Sequence, residues 1–567
     1  MKKIIQMKRY IALIMLAVLF AGCGESFLDQ PPQDTIVDAN FYKTTEQVLA
    51  GTAPLYGIVW FAYNDKASHG LGDARGGVLT SGSYQLENVQ FKTTGLTAEN
   101  GSAWRSFYNV VGQANTLINN VTKYAGADVP DNIKKHAIAE ARFMRGVAYS
   151  YLVQNWGAVP IITDNATLLQ DTTISRNTIE TVWEFICRDI RYGINMLPAT
   201  PIQKGRLTKW SAEGMLAKMY LARSGVGASS LGGRNQTYLD SARILAKDVI
   251  ENSGAHLLDQ AHGYTNGYEE LFKMANNNNA ESLFSLQWTY NGTWGSQNSV
   301  QAFLAYSGDI TGFQDGWGGD LGASLYLVEK YQRDDLRRKS TFTFPGDHYN
   351  YIHQQIDDPA NPGSKKIQEL IVPTGKNTYN VNGVEQKDVP SNMRAWVKKY
   401  VVGRPEDNDG RVLQQRTEIN TYILRMADVY LVYAEAALDK DPADALKYFN
   451  MVHTRAGLQP KISITWDDIF NERQLEFAME GQMWYDFTRL HYFDPEKAYN
   501  LLSNQERGHF AVVPDQIPDP TDWTFVLPDG ESRKYAVNES NFQLPIPSTE
   551  LSRAPNLRKE PVPYVFK

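Results

Sequence analysis

Cysteine is nearly absent from this chain: of 567 residues only Cys23 and Cys187 carry a thiol, so no disulfide framework can hold it together. Compact catalytic signatures are missing too. The nine histidines are scattered and form no HExxH, and His348 and His353, five apart, fit no common helical metal spacing, which argues against a zinc enzyme. Neither a Walker A sequence nor a GxSxG elbow occurs. The run HGLGDARGG at 69–77 is one residue off the dinucleotide fingerprint, and with no strand before it and no helix opening after it, it reads as loop. Positive charge is also in deficit, with 56 Lys and Arg against 63 Asp and Glu. Nucleic acid and anionic surfaces are therefore poor electrostatic partners.

Long apolar runs are lacking as well. The stretch 11–22 is too short to span a bilayer as a helix, but it follows Lys2, Lys3, Lys8 and Arg9 and ends in Ala21 and Gly22 before Cys23, the layout of an export signal. It resembles the bacterial lipobox, with Phe20 where that pattern prefers Leu, and the resemblance makes Cys23 the lipidation site. Removing the four basic residues from a chain of net charge −7 leaves −11, and Cys187 is left with no intrachain partner. Residues 23–40, with two prolines, read as a lipidated, extended tether.

A chain with 43% hydrophobic and 12% aromatic residues is globular, and helical spacing is its main pattern. It runs through 41–62, interrupted by Pro54, then through 104–121 and from Asp131, a candidate N-cap, to Trp156. Those last two read as an antiparallel hairpin closed by small residues such as Ala137, Ala141 and Ala148. Further helices are expected at 178–196, 208–222 and 239–251. Periodicity lapses over 256–420, where Gly, Pro, Asn and short β-like runs dominate. It returns at 421–491 with Pro442 in a first helical turn and one long helix from Trp466 to Leu490, and residues 492–567 read as an irregular tail. Helices of this length resemble tetratricopeptide pairs, although no clean repeat is present.

Within the insertion, residues 287–320 hold seven aromatics among Gly, Asn, Gln and Ser, with no Lys or Arg. A long aromatic loop is the signature of a binding loop rather than of disorder. Trp294 and Trp317 lie between glycines, whereas Trp104, Trp156, Trp183, Trp210, Trp466 and Trp484 lie on helices and are expected to pack. Trp288 has β-like neighbours that imply burial. An exposed indole offers a flat apolar face to a pyranose while Asn, Gln and Asp satisfy its hydroxyls. The candidate ligand contacts are Trp294, Trp317, Tyr290, Asn291, Phe313 and Asp315, joined from a second segment by Trp60, Tyr63, Asp73, Arg75 and Tyr84. Arg75 is the nearby cation for an acidic sugar, which leaves uncharged and sialylated ligands both open. Asp309, Asp315 and Asp320 are a candidate structural calcium set, though not at EF-hand spacing.

Six collinear segments carry a family resemblance: EARFMRGVAYSYLVQNWGAVPII (140–162), GRLTKWSAEGMLAKMYLAR (205–223), LRMADVYLVYAEA (424–436), FNMVHTRAGL (449–458), IFNERQLEFAMEGQMWYDFTRL (469–490) and LPIPSTELSRAPNL (544–557). With the start FLDQPP, they resemble the SusD/RagB family over essentially the whole exported chain. The resemblance implies a mainly α fold, a tetratricopeptide-like scaffold with a loop-rich insertion and short β elements. It further implies a lipoprotein on the outer membrane, facing the cell exterior, that binds oligosaccharide without cleaving it and serves a SusC-like TonB-dependent transporter, with no cofactor. Capture of peptides for a RagB-like uptake system is the alternative. A hydrolase needs paired carboxylates about 5 to 10 Å apart. Glu472, Glu476 and Glu480 share a helical face but read better as partners of Arg425, Arg455 or Arg489 in a buried network.

Overall fold

The computed structural model describes residues 38–169, 173–228, 230–373, 379–381, 384–386, 395–512, 525–527 and 531–566. The export segment, Cys23 and the tether up to residue 37 lie outside them. The fold is mainly α. Helix α1 (Thr45–Thr52) opens on a reciprocal cap between Thr44 and Gln47, which satisfies two of the backbone donors a helix start leaves open. Helices α2 (Ala98–Tyr124) and α3 (Asp131–Trp156) form the expected hairpin, with Phe107 and Tyr151 stacked at 5.2 Å between them. Asp131 does not cap α3; Pro130 precedes it and Asp131 occupies the first turn. Helices α4 (Ile179–Met196), α5 (Lys209–Arg223) and α6 (Gln236–Asn252) continue the array. After the insertion come α7 (Met426–Ala437), α8 (Pro442–Arg455), α9 (Trp466–Phe477), α10 (Met483–Phe493) and α11 (Pro495–Ser503). Helix α11 falls in the stretch expected to be irregular. Its start is set by Asp494, whose side chain accepts from the Lys497 amide, and by Pro495 in the first turn.

Strands are short and pair in twos. Strand β1 (Leu79–Ser81) pairs antiparallel with β3 (Leu321–Ala323), and β2 (Ser282–Leu286) with a strand at Thr421–Arg425 that leads directly into α7. The hairpin of β4 (His348–Asp357) and β5 (Lys365–Ile371) projects from the insertion. Both ends of the insertion are thus tied together at the helical core.

Two sequence expectations fail at one place. The helix expected over 466–490 is broken between α9 and α10, where Met479 and Gly481 have φ of +62° and +69°. The break is held from outside. The buried Lys399 ammonium donates to the Ala478 carbonyl at 2.6 Å and pairs with Glu480 at 3.1 Å, and the Gly481 amide donates to Asp73 at 2.9 Å. The glycine-rich run at 69–77, expected as loop, is instead a wide helical turn over His69–Ala74 buried against this break. A Cβ on Gly72 would lie 2.0 Å from the Gly481 carbonyl oxygen, so only glycine permits the approach.

The glutamates of α9 belong to a buried ion network. Arg425 donates to Glu281 at 2.8 Å, to Glu480 at 2.8 Å and to Glu476; Arg455 donates to Glu281 at 2.9 Å and to Glu476. Arg337, from the insertion, bonds Glu472 at 2.7 Å and Glu476 at 3.1 Å. Arg489 pairs elsewhere, with Asp486 and Glu435.

Candidate functional site

The loop at 287–320 is not a free excursion; its backbone is pinned so that two indoles stand out of it. After β2, a turn closes with the Ser296 amide donating to Thr293 at 3.0 Å and the Thr289 amide to Ser296 at 2.9 Å. Trp294, at the tip, is 55% exposed, with its inner edge against Phe61 (5.8 Å, 73°) and the Arg416 guanidinium 5.6 Å from its ring. Farther on, the Trp317 amide donates to Ala302 and the Gly318 amide to Ala305, both at 2.8 Å. The glycines beside Trp317 do not loosen it. Cβ atoms on Gly316 and Gly318 would fall 2.2 Å from Ser307 and Leu304 backbone atoms, so these glycines let the strand lie flat on the short helix Val300–Leu304 while the indole, 48% exposed, projects.

A second segment completes the surface. The Asp320 carboxylate gathers the Gly82 amide (3.1 Å), the Ser83 amide (3.0 Å) and hydroxyl (3.1 Å), the Tyr84 amide (3.3 Å) and the Ser81 hydroxyl. That knot sets Tyr84 parallel to Phe303 (6.1 Å, 5°), and Phe303 touches Trp317 (5.3 Å, 55°). The Lys66 ammonium sits 4.3 Å over the Phe303 ring. Burial, then the Glu99 and Asp65 carboxylates, raise the Tyr84 hydroxyl pKa, keeping it a neutral donor.

The two aromatic clusters are joined by a third loop. The Asp315 carboxylate is buried and accepts from the Gln415 amide at 2.5 Å, and the next residue, Arg416, donates to the Gly292 carbonyl at 2.9 Å and lies over Trp294. The helical segments from Ile58 to Ala67 run behind both clusters, with Phe61 touching one and Lys66 the other. Ile58, 42% exposed, extends the apolar rim.

The structure sorts the sequence candidates accordingly. Trp294, Trp317, Tyr84 and Asn291 reach the surface, Tyr290 and Phe313 are half-buried, and Trp288 is buried as expected. Five candidates are corrected. Trp60 is buried between Phe107 and Tyr151 and donates to the Leu55 carbonyl. Tyr63 is buried on the same pair and meets the Tyr485 hydroxyl at 3.2 Å. Asp73 is buried between His69 and the Gly481 amide. Arg75 lies 4.2 Å over the Trp484 ring and donates to the Asn541 carbonyl, and burial lowers its pKa to about 9. Asp315 is a loop tie. The first four were placed where the family resemblance sets ligand contacts, ahead of the first helical pair, but their side chains point inward from a helical segment whose outward face is Ile58, Phe61 and Lys66. Those three and Arg416 carry no motif that marks them in the sequence. Asp309, Asp315 and Asp320 each serve a different turn, and among the described residues no three His, Cys, Asp or Glu side chains converge as a metal site.

Residues 259–562 match the model of the SusD family, and residues 26–221 match a second model described as "Starch-binding associating with outer membrane". The chain belongs to the SusD family. A SusD-like protein of Bacteroides ovatus is 37% identical to this SusD-family chain over 583 residues, 100% of each. A crystal structure described as "with xylogluco-oligosaccharide" superposes with a TM-score of 0.78 at 35% identity, covering 92% of this chain and 99% of that one. A laminarin binding SusD-like protein shares the fold at 21% identity and a TM-score of 0.62, covering 90% of this chain and 98% of its own.

Proposed function

We propose that this SusD-family chain is a non-catalytic surface glycan-binding protein that holds an oligosaccharide on Trp294 and Trp317. The observation carrying the reading is two half-exposed indoles held in loops whose backbones are hydrogen-bonded and whose rings rest on Phe61 and on Phe303, the latter shared with Tyr84. Burying one sugar face against each indole desolvates apolar C–H surface at little entropic cost, because the rings are already held. The solved structure with xylogluco-oligosaccharide, similar over nearly its full length, supports a saccharide as the ligand. The absence of chemistry is supported by the α9 glutamates, which are neutralised by arginines in the core. Lipidation at Cys23, outer-membrane anchoring that faces the exterior and delivery to a SusC-like TonB-dependent transporter belong to the same reading; the lipobox-like start supports the lipidation and the second family match supports outer-membrane association.

Calorimetric titration with a xylogluco-oligosaccharide, preceded by a glycan array, tests it. Trp294→Ala and Trp317→Ala are each expected to weaken binding about 10-fold or more, the loss of ~1.5 kcal/mol of stacking. If both variants bind a confirmed oligosaccharide like the wild type, the surface is not the site.

A further inference from the structure

The Lys66 ammonium lies against ring faces. It lies 4.3 Å over Phe303 and 5.8 Å from the Tyr84 centroid, and among the described residues it makes no hydrogen bond or ion pair. Two carboxylates stand close without touching it. Asp65 accepts from the Ser299 hydroxyl, Glu99 lies on the first turn of α2, and both act electrostatically on the Tyr84 hydroxyl and on Lys66. An ammonium has three donors and no acceptor, and a ring face offers it only about 0.5–1 kcal/mol at an exposed site. Among the described residues no group takes its N–H donors, which leaves them open to solvent or a ligand at the edge of an aromatic platform. Local charge is one cation against the Asp65, Glu99 and Asp320 carboxylates, the last accepting from the Tyr84 amide at 3.3 Å, so an anionic unit placed there gains one attraction and meets several repulsions.

We propose that Lys66 is a specificity-determining residue of this surface, donating hydrogen bonds to hydroxyls of a neutral saccharide stacked at Trp317 and Tyr84, while Asp65 and Glu99 exclude uronic-acid and sulfated units. The inference rests on the glycan reading above and is confined to the Trp317 end, since the Trp294 end carries Arg416. Lys66→Met keeps the apolar stem and removes the donor. It is expected to raise the Kd for a neutral xylogluco-oligosaccharide about 10-fold, the lower range for a hydrogen bond to a charged group, with Lys66→Arg recovering part of the loss and thermal melting confirming an intact fold. The wild type is expected to bind oligogalacturonate more weakly than the neutral ligand, and Asp65→Asn with Glu99→Gln to narrow that gap. Unchanged neutral binding in Lys66→Met beside a loss in Trp317→Ala overturns the inference and leaves the glycan reading standing. Unchanged binding in Lys66→Met, Trp317→Ala and Trp294→Ala alike removes the reading as well, and tighter wild-type binding of oligogalacturonate than of the neutral ligand overturns the selectivity.

Discussion

Glu213, on α5, is buried and has one carboxylate oxygen without a hydrogen-bond partner. Burial and the neighbouring Asp248 carboxyl push its pKa up to about 7, against the opposing pull of Lys209. A raised carboxyl binds its proton more tightly folded than unfolded, so its contribution is fully present below the unfolded value of about 4.3 and is lost as pH rises through 7. Glu213→Gln removes that dependence. Melting curves of the two proteins should diverge between pH 5 and pH 8, the wild type losing about 1–3 °C relative to the variant at the higher pH; a pH-independent difference refutes the assignment. The same scale shows what sequence can and cannot say of a side chain. Trp294 and Trp317 stand out because glycines flank them, and the flat backbone those glycines permit is what projects the rings. Trp60, Tyr63, Asp73 and Arg75 resemble them in chemistry, but a segment whose helical turns widen from three-ten to π geometry has no fixed period, so neither spacing nor residue type told the inward face from the outward one.

At the scale of elements, the helices were legible wherever an apolar stripe and a cap coincide, as at Thr208 for α5, Asp441 for α8 and Thr465 for α9. The α9–α10 break was not, because its cause is tertiary. The residues from Leu475 to Trp484 keep helical composition, while Lys399 and Asp73, distant in sequence, supply partners that replace the helix's own hydrogen bonds, and Gly72 leaves room for the Gly481 carbonyl. Gly72 is the most demanding of the three. Gly72→Ala must push backbone against the Gly481 carbonyl, and a loss of about 1–3 kcal/mol, the usual cost of overpacking, is the expected minimum. Gly101, on α2, would meet nothing within 4 Å, and Gly101→Ala should stabilise by up to about 1 kcal/mol through helix propensity. Chemical denaturation of both variants decides the matter, and a Gly72→Ala protein as stable as Gly101→Ala contradicts the close approach.

For the whole molecule, the question is whether the insertion is a separable unit, as its composition suggests. The buried ions say otherwise. Glu281 and Arg337 belong to the insertion, while Arg425, Arg455, Glu472 and Glu476 belong to the C-terminal part, and ion pairs cross between them: Glu281 is paired by Arg425 and Arg455, and Arg337, besides Asp335, pairs with Glu472 and Glu476. Burial pushes the Glu476 carboxyl up, but Arg455, Arg425 and Arg337 outweigh it and hold its pKa at about 2. Its stabilising contribution is therefore present above the unfolded value of about 4.3 and lost as pH falls toward 2. Separating the insertion from the helices would strand several charges in low dielectric at once, which costs far more than the loop contacts alone. Unfolding followed by tryptophan fluorescence, which includes Trp294 and Trp317 of the insertion, should coincide with unfolding followed by helical circular dichroism. Arg425→Met, which leaves Glu281, Glu476 and Glu480 short of a partner, should lower the stability by about 3–5 kcal/mol and shift both signals together. A variant in which the fluorescence transition moves and the helical one does not would show that the insertion unfolds on its own.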